Sequence, residues 1–245
     1  MLVVVSFFVK KIKKANELLW LFGIVFIALG VSTCSKADLG VSMIAAPAFV
    51  VQEAVARFFP QLTVGVTEYI IQGLMLIVLC IAIKRFNWRY LLGFGVAVLY
   101  GYTLDFFLFL MGGITLNGVW MRYVLLLIGD VCTAFGVACF FHTYMPLQVY
   151  ELFVAEIARV FNFDINKTKR FFDLSLLGVS ILLAFTLFGD TKTFDWNTIW
   201  YSSYHSIGIG TLITTAINSP IIKYMGKFIE KTFDETPRFE GLYSA

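Results

Sequence analysis

Apolar residues run through this chain in long blocks rather than in alternation. Six blocks are long enough to cross a bilayer: Glu17 to about Ser35, Val64 to Ile83, Tyr90 to about Met111, Met121 to about Phe141, Phe171 to Phe188, and Trp200 to about Ile222. A hydrocarbon core about 30 Å thick needs roughly 20 apolar residues of helix, and a continuous run without a period of two favours helix over strand. Two shorter stretches mix polar with apolar positions. One is Ser42 to Phe59, with Pro47, Gln52, Glu53 and Arg57; the other is Pro146 to Phe161, with Glu151, Glu156 and Arg159. The polar positions of these two fit short helices that enter the membrane and return, or that lie at its surface with Glu53, Glu151 and Glu156 toward water.

The blocks come in the same order twice: span, mixed helix, span, span. GVSTCSKADLGVSMIAAPAFVVQEAVARFF from Gly30 is echoed by GVACFFHTYMPLQVYELFVAEIARVFNF from Gly136, with Ala56-Arg57 and Phe59 falling opposite Ala158-Arg159 and Phe161. Thr67 then falls opposite Thr168, Gln72 opposite Asp173, and Gly93 opposite Gly210. Three spans per half is an odd number, so the second half runs upside down relative to the first, as in many transporters. The expected fold is an all-α polytopic membrane protein of six transmembrane helices, a 3+3 inverted repeat whose halves each hold one short non-crossing helix. Residues 1–16 form a basic leader, 17–113 the first repeat, 119–226 the second and 227–245 a tail; the two repeats make one membrane domain.

Charge sets the orientation. With neither mixed helix crossing, one side collects Lys10, Lys11, Lys13, Lys14, Lys84, Arg85, Arg89, Arg159, Lys167, Lys169, Arg170, Lys223, Lys227, Lys231 and Arg238, which is all but four of the 19 basic residues. By the positive-inside rule that side is cytoplasmic and holds both termini. Were both mixed helices to cross, Lys84, Arg85 and Arg89 would move outside. The basic cluster follows the apolar start MLVVVSFFV, the reverse of a signal peptide, so no cleavage is expected.

Composition agrees: 59% of residues are hydrophobic and 14% charged, against about 25% charged in soluble domains. The four cysteines show no metal-ligand spacing and read as small buried hydrophobes. With only His142 and His205 as histidines, and no P-loop, nucleophile elbow or dinucleotide fingerprint, no enzyme, cofactor, metal site or nucleic-acid binding is expected.

LGVS at Leu39 to Ser42, GYTLDF at Gly101 to Phe106 and IGIGTLI at Ile207 to Ile213 resemble the YczE/YitT-like bacterial integral membrane proteins. The resemblance covers about residues 18 to 225. It departs at Met145-Pro146-Leu147-Gln148, where relatives tend to carry a second Leu-Gly-like turn. It implies a duplicated protein of the bacterial inner membrane with no defined substrate.

Candidate chemistry lies with polar groups inside the apolar blocks, because an ionisable residue there is costly and is a site candidate by default. Asp105 lies ~22 Å along the third span and Asp130 ~14 Å into the fourth. A short loop joins these spans, so they are expected to pack antiparallel with the two aspartates at similar depth, as a proton- or cation-coupling pair or as groups bonded locally. Gln72 and Asp173 hold matching repeat positions; lining a central cavity and bonding between helices are the two readings. Glu68 shares a face with Gln72, and Lys169 reads as an interfacial anchor. Ser42 and Gln148 stand near the N-termini of the mixed helices, where free N–H groups attract an anion or a carbonyl oxygen, or are simply capped. His205, after Tyr201 and Tyr204, is placed in an aromatic pocket. The expected function is a small-solute transporter or exporter with its site between the repeats near the midplane, open to proton coupling. The alternative is a membrane accessory protein assisting a partner. Expected partners are the bilayer and a small molecule or ion, with a second copy or another protein left open.

Overall fold

The computed structural model describes residues 16–116, 118–188, 200 and 202–233. The leader, the loop 189–199 and the tail from 234 lie outside the described residues, as do Asn117 and Tyr201. The described residues form eight helices and no strand: α1 (Asn16–Ala37), α2 (Ala46–Val55), α3 (Val64–Ile83), α4 (Tyr90–Gly112), α5 (Val119–Phe141), α6 (Val149–Phe161), α7 (Ile165–Phe188) and α8 (Ile209–Thr232). Five of them, α1, α3, α4, α5 and α7, are long and apolar enough to cross a membrane. The chain is thus a multi-pass membrane protein by its helices. Its burial is inverted accordingly. On α3, Ile70, Leu74, Ile77, Val78 and Ile81 are exposed while Thr67, Glu68 and Gln72 are buried. Lipid solvates the apolar face, and polar groups must find partners inside.

The bundle is organised on α1 and α5, which cross antiparallel at very short range. A β-carbon added at Gly30 would meet the Gly129 carbonyl at 2.5 Å, and one at Gly136 would meet the Gly23 carbonyl at 2.9 Å. Four glycines therefore let two backbones touch, the usual device where lipid removes the hydrophobic drive for association. On the outside of this pair, α4 packs along α1 and α8 along α5. The short helices are exchanged between the halves: α2 rests on α7, and α6 rests on α3.

Both short helices are half-helices, of 10 and 13 residues, or ~15 and ~20 Å against the ~30 Å of hydrocarbon. Each begins deep and ends at the surface. After α1 the chain turns back through Asp38 (φ +53°) and Gly40 (φ +110°), and Leu39 to Ala45 are all buried. Gly40 has the glycine-favouring conformation, and a β-carbon there would also crowd Gly208 N at 2.6 Å. Helix α2 then climbs to the exposed Phe58 and Phe59. In the second half, Val149 to Glu151 are buried and the helix ends at the exposed Val160 and Phe161.

Four expectations need correction. The last helix starts at Ile209, not Trp200, and runs to Thr232 with Pro220 inside it. The loop and the first turn of α8 are instead tied to the turn before α2, with Val41 N donating to Ser206 O and Gly210 N to Leu39 O at 2.9 and 2.8 Å. Helices α4 and α5 do not pack on each other despite their short connection, because the glycine contacts seat α5 on the far side of α1. Asp105 and Asp130 are therefore not a pair. Lys169 is not an interfacial anchor: it is 5% exposed. Glu151 does not face water: it is 2% exposed, because α6 enters the bundle N-terminus first.

Candidate functional site

The deep ends of the two half-helices arrive at one small cavity. Ser42, from the turn before α2, and Gln148, Tyr150 and Glu151, from the start of α6, line it together with Tyr100 of α4 and Thr133 of α5. Tyr100 and Thr133 stand within about one turn of the middle of their helices, so the cavity lies at mid-height. Its volume is about 10 Å³, room for about one water. Two acceptors on its lining residues, Gln148 Oε1 and Glu151 Oε2, are buried without a hydrogen-bond partner. Desolvated acceptors in this state are costly, and an occupant that donates protons or carries positive charge would satisfy them.

Two of its lining residues, Tyr150 and Glu151, belong also to a buried polar network that joins α3, α6 and α7. Tyr150 Oη donates to Glu68 Oε2 at 2.9 Å. Glu68 is fully buried and its Oε1 has no partner. Gln72, one turn on, lies beside Glu68, yet neither of its amide atoms makes a well-directed hydrogen bond. On α7, Lys169 Nζ donates to Asp173 Oδ1 at 3.3 Å, with both side chains buried. Both act electrostatically on Glu151. The network thus holds Glu68, Glu151 and Asp173 against the single ammonium of Lys169. Two half-helix N-termini add roughly half a positive charge each. The balance remains negative when all three carboxylates are ionised, so the site suits a proton or another cation. No group of three or more His, Cys, Asp or Glu suited to a metal ion occurs among the described residues.

Of the residues singled out from the sequence, Ser42 and Gln148 meet at the cavity, and Gln72 and Asp173 lie in the adjoining network. Three stand elsewhere. Asp105 accepts from Gly65 N at 2.8 Å and so satisfies an N–H in the first turn of α3. Asp130 is buried on α5 near Cys34, and neither of its oxygens has a hydrogen-bond partner. His205 lies at the far end of the bundle, with Nδ1 2.8 Å from Glu53 Oε1 and its ring stacked on Phe188 at 3.5 Å. Together with Asp38, Ser203 and Ser206, these two line a polar cavity of about 290 Å³. The aromatic surroundings of His205 match expectation; its carboxylate partner was not foreseen.

Sequence reasoning left Glu68, Tyr150 and Glu151 outside the site. Glu68 carried a usable signal, an acid about one and a half turns before the middle of an apolar block. Tyr150 and Glu151 carried none, since a helix lying at the surface has the same amphipathic pattern as one that starts deep.

No curated protein and no solved structure matches the chain. A family match covers most of it, from residue 14 to residue 227, which takes in all of α1 to α7 and most of α8. The chain belongs to DUF6198, a family of unknown function.

Proposed function

We propose that this protein is a small-solute transporter that works by alternating access about the mid-height cavity, with a proton as coupling ion and a solute bearing a donor or positive group as cargo. One observation carries the reading: two half-helices from opposite halves bring Ser42, Gln148 and Glu151 to a single cavity with unpartnered buried acceptors. In this reading α8 is a sixth span, the halves are an inverted repeat, and both termini lie on the cytoplasmic side of a bacterial inner membrane. Packing supports the repeat. Gly129 and Gly136 stand 106 residues after Gly23 and Gly30, and a half-turn that exchanges α1 with α5 carries the Gly30–Gly129 contact onto Gly136–Gly23. The same exchange carries Gly93, which faces Leu147 O in the turn before α6, onto Gly210, which faces Leu39 O in the turn before α2. Likeness to the YczE/YitT-like proteins belongs to the same reading.

The test compares solute uptake and efflux in cells making the wild-type chain, Glu151→Gln or Gln148→Leu at equal membrane abundance. The expected result is a solute whose gradient depends on the wild-type chain and is lost in both variants. A gradient that both variants preserve would refute the site. A second reading, an accessory protein that assists a partner, draws on the small size of the cavity. It predicts no solute difference and one partner that copurifies with both variants as well as with wild type.

A further inference from the structure

A second cavity opens at the end of the bundle where α5 ends and α7 begins, and of its lining residues only Lys169 belongs to the network of the transport reading. Its volume is about 410 Å³, within the range of small-molecule sites. We propose that it binds a phosphate-bearing anion of headgroup size.

Four observations on different elements point there. Lys169, Lys223 and Lys227 stand in its wall, against the single carboxylate of Glu230. Lys223 and Lys227 are one turn apart on α8 and so share a face, and neither makes an ion pair among the described residues. Asn166 also lines the cavity, in the first turn of the 24-residue α7. The Asp164 carboxylate caps part of this end by taking the N–H of Lys167, while the N–H groups of Ile165 and Asn166 have no acceptor within the helix and remain for an anion. The back wall is apolar, with Ala138, Phe141 and Ile222.

Ammonium groups act as point charges that suit a phosphate's several oxygens, whereas a planar carboxylate is better matched by the fork of arginine. The volume leaves space for a substituent on the phosphate, and the apolar back wall suits its carbon skeleton. The occupant is either the headgroup of an anionic phospholipid or a free phosphate ester. Lys169 ties the cavity to the rest of the protein. Its ammonium holds Asp173 at the relatively long distance of 3.3 Å while it lines this cavity, so a bound anion competes with Asp173 for it.

The experiment measures binding to the purified full chain in dodecyl maltoside, read as a rise in thermal midpoint during titration. The probes are phosphatidylglycerol, phosphatidylcholine as zwitterionic control, and glycerol 1-phosphate. Phosphatidylglycerol alone raising the midpoint assigns the site to a lipid; glycerol 1-phosphate raising it as well assigns it to a free ester. Lys223→Gln and Lys227→Gln should each weaken binding about fivefold. Glu230→Gln, which removes the one carboxylate of the wall, should strengthen it by a similar factor. Lys231→Gln, on the same helix and outside the cavity wall, should leave it unchanged. No rise with either anion overturns the proposal. So does equal stabilisation by phosphatidylcholine, or an equal loss in Lys231→Gln, which would mean general attraction to a basic surface.

Discussion

Gly30 is the place where a single methyl group should do most harm. Its added β-carbon would sit 2.5 Å from both the Gly129 carbonyl and the Thr133 nitrogen and closer still to Thr133 Oγ1. Ordinary contact to such atoms begins near 3.4 Å, so α1 and α5 would have to part by about 1 Å. Backbone atoms cannot turn away as a side chain can. Overpacking a tight contact costs about 1–3 kcal/mol, while alanine gains about 1 kcal/mol over glycine in a helix interior. Gly30→Ala should therefore lose up to about 2 kcal/mol net and Gly30→Val more, since valine adds bulk with no larger helix gain. Gly178 supplies the internal control: a β-carbon there meets nothing within 4 Å. Gly178→Ala should keep the alanine gain and raise stability by up to about 1 kcal/mol. Chemical denaturation of the three variants in one detergent gives the comparison. If Gly30→Val unfolds at the wild-type midpoint, the close α1–α5 crossing does not hold the bundle together.

Lys169→Met should leave Asp173 charged and unpaired in the interior and cost roughly 3–5 kcal/mol, with Lys169→Met/Asp173→Leu recovering most of it; the denaturation midpoints of the single and double variants decide. Tyr150→Phe removes the donor to Glu68 and should cost about 1–3 kcal/mol, and in Glu68→Leu the same change should cost clearly less, which a double-mutant cycle measures. In a cysteine-free background on intact cells, Thr115→Cys should react with an impermeant thiol reagent and Lys84→Cys should not; labelling at 84 from outside would reverse the proposed orientation.

The spans that follow lipid-driven patterning were legible in the sequence, and Val64 to Ile83 coincides with α3 residue for residue. Where the pattern depends on contacts far along the chain, it was not. The stretch from Trp200 to Gly208 is apolar and aromatic enough to resemble the start of a span, but its Ser206 carbonyl accepts from Val41 N and the helix begins only at Ile209. Lys169 looked like an anchor because a lysine near the end of a span usually reaches for water; Asp173 and Glu151 draw it inward instead. Ser42 and Gln148 were singled out for the free N–H groups expected at half-helix N-termini, and the structure brings both to one cavity. Glu151 was missed because its burial follows from the direction in which α6 enters, which no local pattern encodes.

The exchange of half-helices has a consequence for the order of synthesis. The turn Leu39 to Ala45 is buried only when Ser206 and Gly210 have bonded to it and α7 has covered α2. At 5–20 residues per second the ribosome delivers Gly210 on the order of 10–30 s after Leu39. Through that interval the nascent chain holds a non-helical turn whose later partners are missing, and for roughly the first half of it the glycine-lined α1 has no α5 to meet. A first half made alone should remain a target for membrane proteases, and supplying the second half as a separate chain should rescue it.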